Sequence, residues 1–104
     1  MEIYSLTVYI PDTHVEEVKQ ALFKLGVGDF GNYTHCCWQT HGLGQFKANN
    51  ASKPYVGQKD IVHKEPEVKV ELILQAELIP AARQAIIDTH PYETPAYHFI
   101  RILT

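Results

Sequence analysis

Along the first ten residues apolar and polar positions alternate: Tyr4, Leu6, Val8 and Ile10 fall on one side, Ile3, Ser5, Thr7 and Tyr9 on the other. A period of two is that of a strand with one strongly apolar face. Pro11-Asp12 ends it, and Thr13-His14-Val15-Glu16 has the form of a capping box, a hydroxyl and a carboxylate each satisfying a free backbone N–H. Val15, Val18, Leu22 and Leu25 follow at spacings of 3, 4 and 3, the stripe of an amphipathic helix, and Gly26 suits the residue just past its end. Then the texture changes. Glycines at 28, 31, 42 and 44 punctuate a β-branched and aromatic run, which predicts a strand over 33–41, a turn at Gly42-Leu43-Gly44 and a short strand through Gln45 and Phe46. Residues 48–60 are rich in turn formers and predict a loop, long enough to be functional or to cover a neighbouring subunit. Val68 to Leu74 reads as a strand. Glu77 to Thr89 reads as a second helix with Leu78, Ala82, Ala85 and Ile86 as its buried stripe, and Pro80, tolerated only in a first turn, sets its start near Glu77. His98 to Leu103 closes the chain as a strand.

The order strand, helix, strand, strand, helix, strand is the split β-α-β arrangement. It predicts an α+β, ferredoxin-like (βαββαβ) fold, an antiparallel sheet with two helices on one face. At 104 residues, 45% hydrophobic and 20% charged, the chain is expected to form a single domain over 1–104. The other sheet face must be solvated or buried in an oligomer, and unpaired edges need protection. A homo-oligomer is therefore expected, with Phe46, Tyr92 and Tyr97 as candidates for its surface. The net charge of −3 argues against a nucleic-acid partner. No apolar run approaches the roughly 20 residues that span a bilayer, and Met1-Glu2-Ile3-Tyr4 lacks the regions of a signal peptide. The expected location is the cytoplasm, with no membrane partner. Cys36 and Cys37 are adjacent, too close to bond to each other without severe strain, and are expected as free thiols.

Two clusters carry chemistry. The first is His90-Pro91-Tyr92-Glu93-Thr94-Pro95-Ala96-Tyr97, between the second helix and the last strand. Each proline fixes its own φ and biases the residue before it away from helix, so the segment is a stiff, presented loop. His90 at a helix C-terminus is expected to have a raised pKa, because the helix dipole favours imidazolium. The alternative for this segment is a rigid connection packed on its own scaffold. The second cluster is His35, Cys36, Cys37, Trp38 and His41. On a strand, His35, Cys37, Gln39 and His41 would share one face, Cys36, Trp38 and Thr40 the other. Imidazole and thiolate suit zinc or copper. One strand gives poor chelate geometry, so a metal site would need His90, Glu93 or a second subunit. The alternative places Cys36 and Trp38 in the core and bonds His35 to a backbone carbonyl. The expected convergence is of His35, His90, Tyr92 and Glu93 on a small ligand, or of His35, Cys36, His90 and Glu93 on a zinc or copper ion. Ser5, Ser52 and the cysteines lack a His or acid at a triad-like spacing, so catalysis is not expected.

Gly31-Asn32-Tyr33-x-His35-Cys36-x-Trp38-Gln39-Thr40, then Gly42-x-Gly44-x-Phe46, then His90-Pro91-Tyr92-Glu93-x-Pro95-Ala96-Tyr97 resembles the YqfO-type domain. That domain occurs inserted in the Nif-three-like proteins and also alone. The His-Pro-Tyr-Glu-x-Pro segment is also similar to the end of the second helix in the CutA divalent-cation-tolerance proteins, which share a PII-like fold and form trimers. The resemblance implies a CutA/PII-like fold and a trimer. It does not carry over the two-metal centre of the Nif-three-like proteins, whose ligands lie outside the matching region, and Cys37 and His41 are not part of the family pattern. Two functions follow as expectations: a cytosolic, oligomeric, non-catalytic module binding a small ligand or divalent metal ion, or a ligand-free structural and protein-interaction module.

Overall fold

The computed structural model describes residues 2–104. Six main elements follow in order: β1 (Ile3–Pro11), α1 (Val15–Phe23), β2 (Trp38–Lys47), β3 (Val62–Gln75), α2 (Ile79–Thr89) and β4 (Tyr97–Ile102). Short 3₁₀ turns, Asp12–His14 and Ala76–Leu78, lead into the two helices. The strands form one antiparallel sheet in the order β2-β3-β1-β4, the ferredoxin-like arrangement.

The apolar side of β1 faces the helices as its period of two requires, with Tyr4 only partly buried, while Thr7 on the other side is also buried, at 5% exposure. Leu6, Val8 and Ile10 are buried beneath the helices with Val68, Val70, Leu72 and Leu74 of β3. Val15, Val18 and Leu22 of α1 and Ala82 and Ile86 of α2 close the core from one side, with Leu25, Leu78 and Ala85 packed at its margin. Each aliphatic side chain fully buried there contributes about 1.5–3 kcal/mol. The opposite face is open: Trp38 is 67% exposed and Ile100 56%. Among the described residues no helix is long and apolar enough to cross a membrane.

Four local expectations are corrected. No side-chain cap starts α1; Thr13 Oγ1 instead pairs with His14 Nδ1 at 2.8 Å, because the 3₁₀ turn occupies the residues of the expected capping box. The strand expected from Tyr33 begins only at Trp38. Ahead of it Phe30 and Tyr33 pair across a tight turn, and His35 adopts a left-handed φ of 60°, which breaks an extended chain. Cys37, not Cys36 or Trp38, packs against the core. Finally, Gly42-Leu43-Gly44 is not a turn. Neither glycine has a positive φ, and β2 runs straight through them.

That continuity gives the molecule its shape. β1 pairs with β3 only as far as Pro11 opposite Glu67, whereas β2 pairs with β3 on to Lys47 opposite Val62. Leu43–Lys47 and Val62–Pro66 therefore project as a two-stranded arm, along a body measuring 46 × 24 × 23 Å. Pro66, which has no N–H to donate, sits where β3 loses its second neighbour.

Candidate functional site

At the C-terminus of α2 the His90 N–H still bonds the Ile86 carbonyl, at 2.8 Å, but the residue itself is extended (φ −77°, ψ 135°), as a pre-proline residue should be. This turns the imidazole inward against β1. Nε2–H donates to the Tyr9 carbonyl at 2.7 Å, and Nδ1 accepts the Tyr92 N–H at 3.2 Å. The tautomer is assigned from these two partners. The residue is only 6% exposed. Burial holds its pKa below the ordinary imidazole value, against the opposing pulls of the Tyr9 carbonyl and the Glu67 carboxylate. The direction is opposite to the rise expected from the helix dipole, and desolvation of the imidazolium is its largest cause. With both ring nitrogens engaged inside the chain, His90 fastens the loop and has no lone pair to offer a ligand.

The same loop is tied at its far end by the Tyr9 N–H to the Ala96 carbonyl, 3.0 Å. Between these ties Tyr92 reaches over the base of the arm and donates its hydroxyl to Glu67 Oε2 at 2.9 Å. Gly44 makes this possible. A Cβ at that position would collide with the Glu67 carboxylate, so the missing side chain is what lets Glu67 fold across β2. Glu93 accepts the Lys53 N–H at 2.8 Å and so joins the 48–61 loop to the His90 loop. That long loop is shaped by Asn49, whose side chain accepts the Ala51 N–H, and by a bridge between Ala48 and Lys59.

These ties enclose a cavity of about 350 Å³, bounded chiefly by Tyr9, Phe46, Tyr55, Glu67, Tyr92 and Glu93. The Tyr92 ring lies 5.9 Å from that of Phe46 and 6.2 Å from that of Tyr55. Burial raises the Tyr92 pKa, and its hydrogen bond to Glu67 raises it further. Glu67→Gln is therefore expected to bring the Tyr92 ionisation down while burial keeps it above the ordinary phenol value. Absorbance titration of tyrosinate in wild type and variant checks this, with Tyr92→Phe identifying the signal; an unmoved titration would detach Glu67 from Tyr92.

The residues expected to converge fall into two groups. Tyr92 and Glu93 line this cavity, with His90 behind Tyr92. His35 lies instead at the end of α1, its ring 4.6 Å from that of Phe23 and its Nδ1 paired with the Thr34 hydroxyl. Cys36 lines a separate, shallower hollow with Ser5 and Ile73. Ser5 and Tyr9 mark the two ends, about 13 Å apart along an extended strand. Within one chain the expected set does not meet, because the α1–β2 connection that carries His35 and Cys36 lies where β1 begins, whereas the α2–β4 loop that carries His90, Tyr92 and Glu93 lies where β1 ends. Among the described residues no three His, Cys, Asp or Glu side chains gather as a metal site. Of the surface candidates, Phe46 and Tyr92 line the cavity, whereas Tyr97 packs against the core beside Phe99. Glu67 and Tyr9 were not legible as site residues. Tyr9 reads as an ordinary outward position on a strand, and Glu67 falls just outside the strand expected from Val68, whereas β3 runs from Val62.

No family model matches the chain. It is 35% identical over 99 residues to a GTP cyclohydrolase 1 type 2 homolog from Staphylococcus epidermidis, covering 95% of this chain and 27% of that protein. A GTP cyclohydrolase 1 type 2 homolog from Halalkalibacterium halodurans is 36% identical over 95 residues, covering 91% and 26%. The chain thus spans about a quarter of the length of these relatives. Among solved structures, a Bacillus cereus protein related to NIF3 superposes with a TM-score of 0.80 at 33% identity, over 97% of this chain and 26% of that one. CutA1 from Shewanella sp. SIB1 superposes with a TM-score of 0.73 at 18% identity, over 99% and 83%, a likeness of fold. By sequence and by fold together, the chain is similar to a segment about a quarter the length of the NIF3-related proteins, and it shares its ferredoxin-like fold with CutA1.

Proposed function

We propose that the chain is a non-catalytic, CutA- and PII-like module of the cytoplasm that works as a homo-oligomer and takes a small ligand at the base of the arm. The observation that carries this is the cavity itself: two loops far apart in sequence are joined by the Lys53–Glu93 bond over a floor set by Tyr92 and Glu67. A pocket with few polar groups among apolar walls is the usual form of a small-molecule site. Tyr92 and Glu93 face the ligand, and His90 holds them in place. Zinc or copper is the second ligand class. The fold is shared by a divalent ion tolerance protein, CutA1 from Ehrlichia chaffeensis, which supports testing it. Such a site would draw Glu93 from one subunit and His35 or Cys36 from another. Assembly is supported by the open sheet face with Trp38 and Ile100 and by the free edges of β2 and β4. A trimer follows from the resemblance to CutA. The same open face favours the alternative, a ligand-free interaction module.

Native mass spectrometry after gentle purification tests both parts. The expected result is a species of three times the 11.8 kDa subunit mass, carrying a retained ligand or taking up an added one. A monomer at tens of micromolar would overturn the assembly. Calorimetric titration of zinc and copper into wild type, Glu93→Gln and His35→Ala then separates the ligand classes: heat lost in both variants marks a shared metal site, and equal heats in all three exclude it.

A further inference from the structure

The cavity at the base of the arm is chemically one-sided. Tyr9, Phe46, Tyr55 and Tyr92 present aromatic rings to it and Glu67 and Glu93 present carboxylates, while among the described residues no Lys, Arg or His side chain lines it. Neither carboxylate has a basic partner within ion-pair distance among the described residues. The basic residues around it are otherwise placed: His63 pairs with Glu65 at 2.7 Å, Lys53 gives Glu93 only its backbone N–H, His90 is buried with both ring nitrogens bonded within the chain, and the His14 ring stands edge-on to Tyr55 at 5.8 Å. Tyr92 satisfies one oxygen of Glu67 and does not neutralise it.

We infer that this pocket binds a small organic cation, an ammonium whose alkyl groups rest on the rings of Tyr9, Phe46, Tyr55 and Tyr92 and whose charge is met by Glu67 and Glu93. The inference rests on the ligand-binding reading above and narrows its chemical class. Aromatic faces carry the negative end of the ring quadrupole and attract a cation seated against them. Two unneutralised carboxylates add to the same potential and repel an anion. A divalent metal ion fits less well. It needs several oxygen or nitrogen ligands or keeps its water, and rings supply neither. A weakly hydrated alkylammonium loses little on leaving water and covers the apolar walls as it enters. The volume of about 350 Å³ lies near the lower end of the roughly 300–1,000 Å³ typical of ligand pockets, which suits a compact amine.

The test compares three probes by NMR titration of the intact protein: choline, its uncharged carbon isostere 3,3-dimethylbutan-1-ol, and benzoate. Choline is expected to shift the Tyr92, Tyr55 and Phe46 resonances in a saturable way. The alcohol should bind about tenfold more weakly, since the charge is gone and the shape is not. Benzoate should produce no saturable shift. Glu67→Gln and Glu93→Gln preserve shape and hydrogen bonding, and each is expected to weaken choline about tenfold with an unchanged far-UV spectrum. Glu2→Gln, which removes an exposed carboxylate paired with Arg101 at the other end of β1, should leave choline binding within about twofold and serves as the control for loss of charge alone. Equal binding of choline and the alcohol, or preference for benzoate, would overturn the cationic class while leaving a small-ligand pocket. Saturable binding of none of the three at millimolar concentration would overturn the pocket itself.

Discussion

Replacing His90 by Ala is expected to lower the unfolding free energy by about 3 kcal/mol. The imidazole is almost wholly buried and bonds the Tyr9 carbonyl on β1 and the Tyr92 N–H in its own loop. Its removal leaves a buried acceptor and a donor without partners, each costing about 1–3 kcal/mol, and opens a void besides. The same substitution has a pH signature. Because burial depresses the His90 pKa in the folded protein, the unfolded chain binds the proton more readily, near its free value of about 6.5. His90 therefore contributes stability that is fully present above about pH 6.5 and is lost as pH falls toward the lower folded value. Urea unfolding of wild type and His90→Ala between about pH 5 and 8 should show a gap that narrows as the solution is acidified. A gap of constant size would mean that the folded ring titrates like a free one.

Gly28→Ala is expected to cost about 3 kcal/mol or more, although the change is a single methyl. Gly28 has a φ of +90°, and a Cβ there would lie 2.7 Å from the Cys36 carbonyl oxygen and 3.2 Å from the Phe23 ring. Its N–H bonds the Ile73 carbonyl at 2.8 Å and its own carbonyl accepts the Cys36 N–H at 2.9 Å. The obstructing atoms are backbone, held on both sides, and cannot step aside. Gly31 is the control. It too has a positive φ, +58°, but nothing lies within 4 Å of where its Cβ would be. Gly31→Ala should cost only the conformational penalty, about 1 kcal/mol. Equal losses in parallel denaturant titrations would remove crowding as the explanation.

The core was legible because it is periodic. Leu6, Val8 and Ile10 in β1 and Val15, Val18 and Leu22 in α1 keep a fixed spacing, and burial follows spacing. The segment from Val27 to Gly44 was legible in composition only. Its path depends on left-handed turns at Gly28, Gly31 and His35 and on the extended form of Gly42 and Gly44, and a glycine in a sequence announces freedom without saying which way it is used. The His90 segment was read as a stiff, presented loop, with packing on its own scaffold as the alternative, and His90 itself is packed on the scaffold. What local pattern could not show was that His90 spends both nitrogens on its own scaffold, because one partner lies 81 residues away. Glu67 stayed hidden for the same reason: its role depends on Tyr92 and on the absence of a side chain at position 44, and those meet only in the folded chain.

The arm has a mechanical consequence. Beyond Pro11, β2 and β3 have each other but no third strand, so Gly44, Gln45 and Phe46 form a cavity wall held at its root by the sheet and past its tip by the Lys53–Glu93 bond, an overhang. The facing wall, the His90 loop, is fixed to β1 at Tyr9. A molecule seated between them, as proposed above, would act as a strut. Local opening of a two-stranded segment costs less than global unfolding. If the cavity is occupied as proposed, hydrogen exchange of the arm's paired amides, from Leu43 to Lys47, is expected to slow, while that of Leu6 and Val70 continues to report the unfolding of the whole sheet.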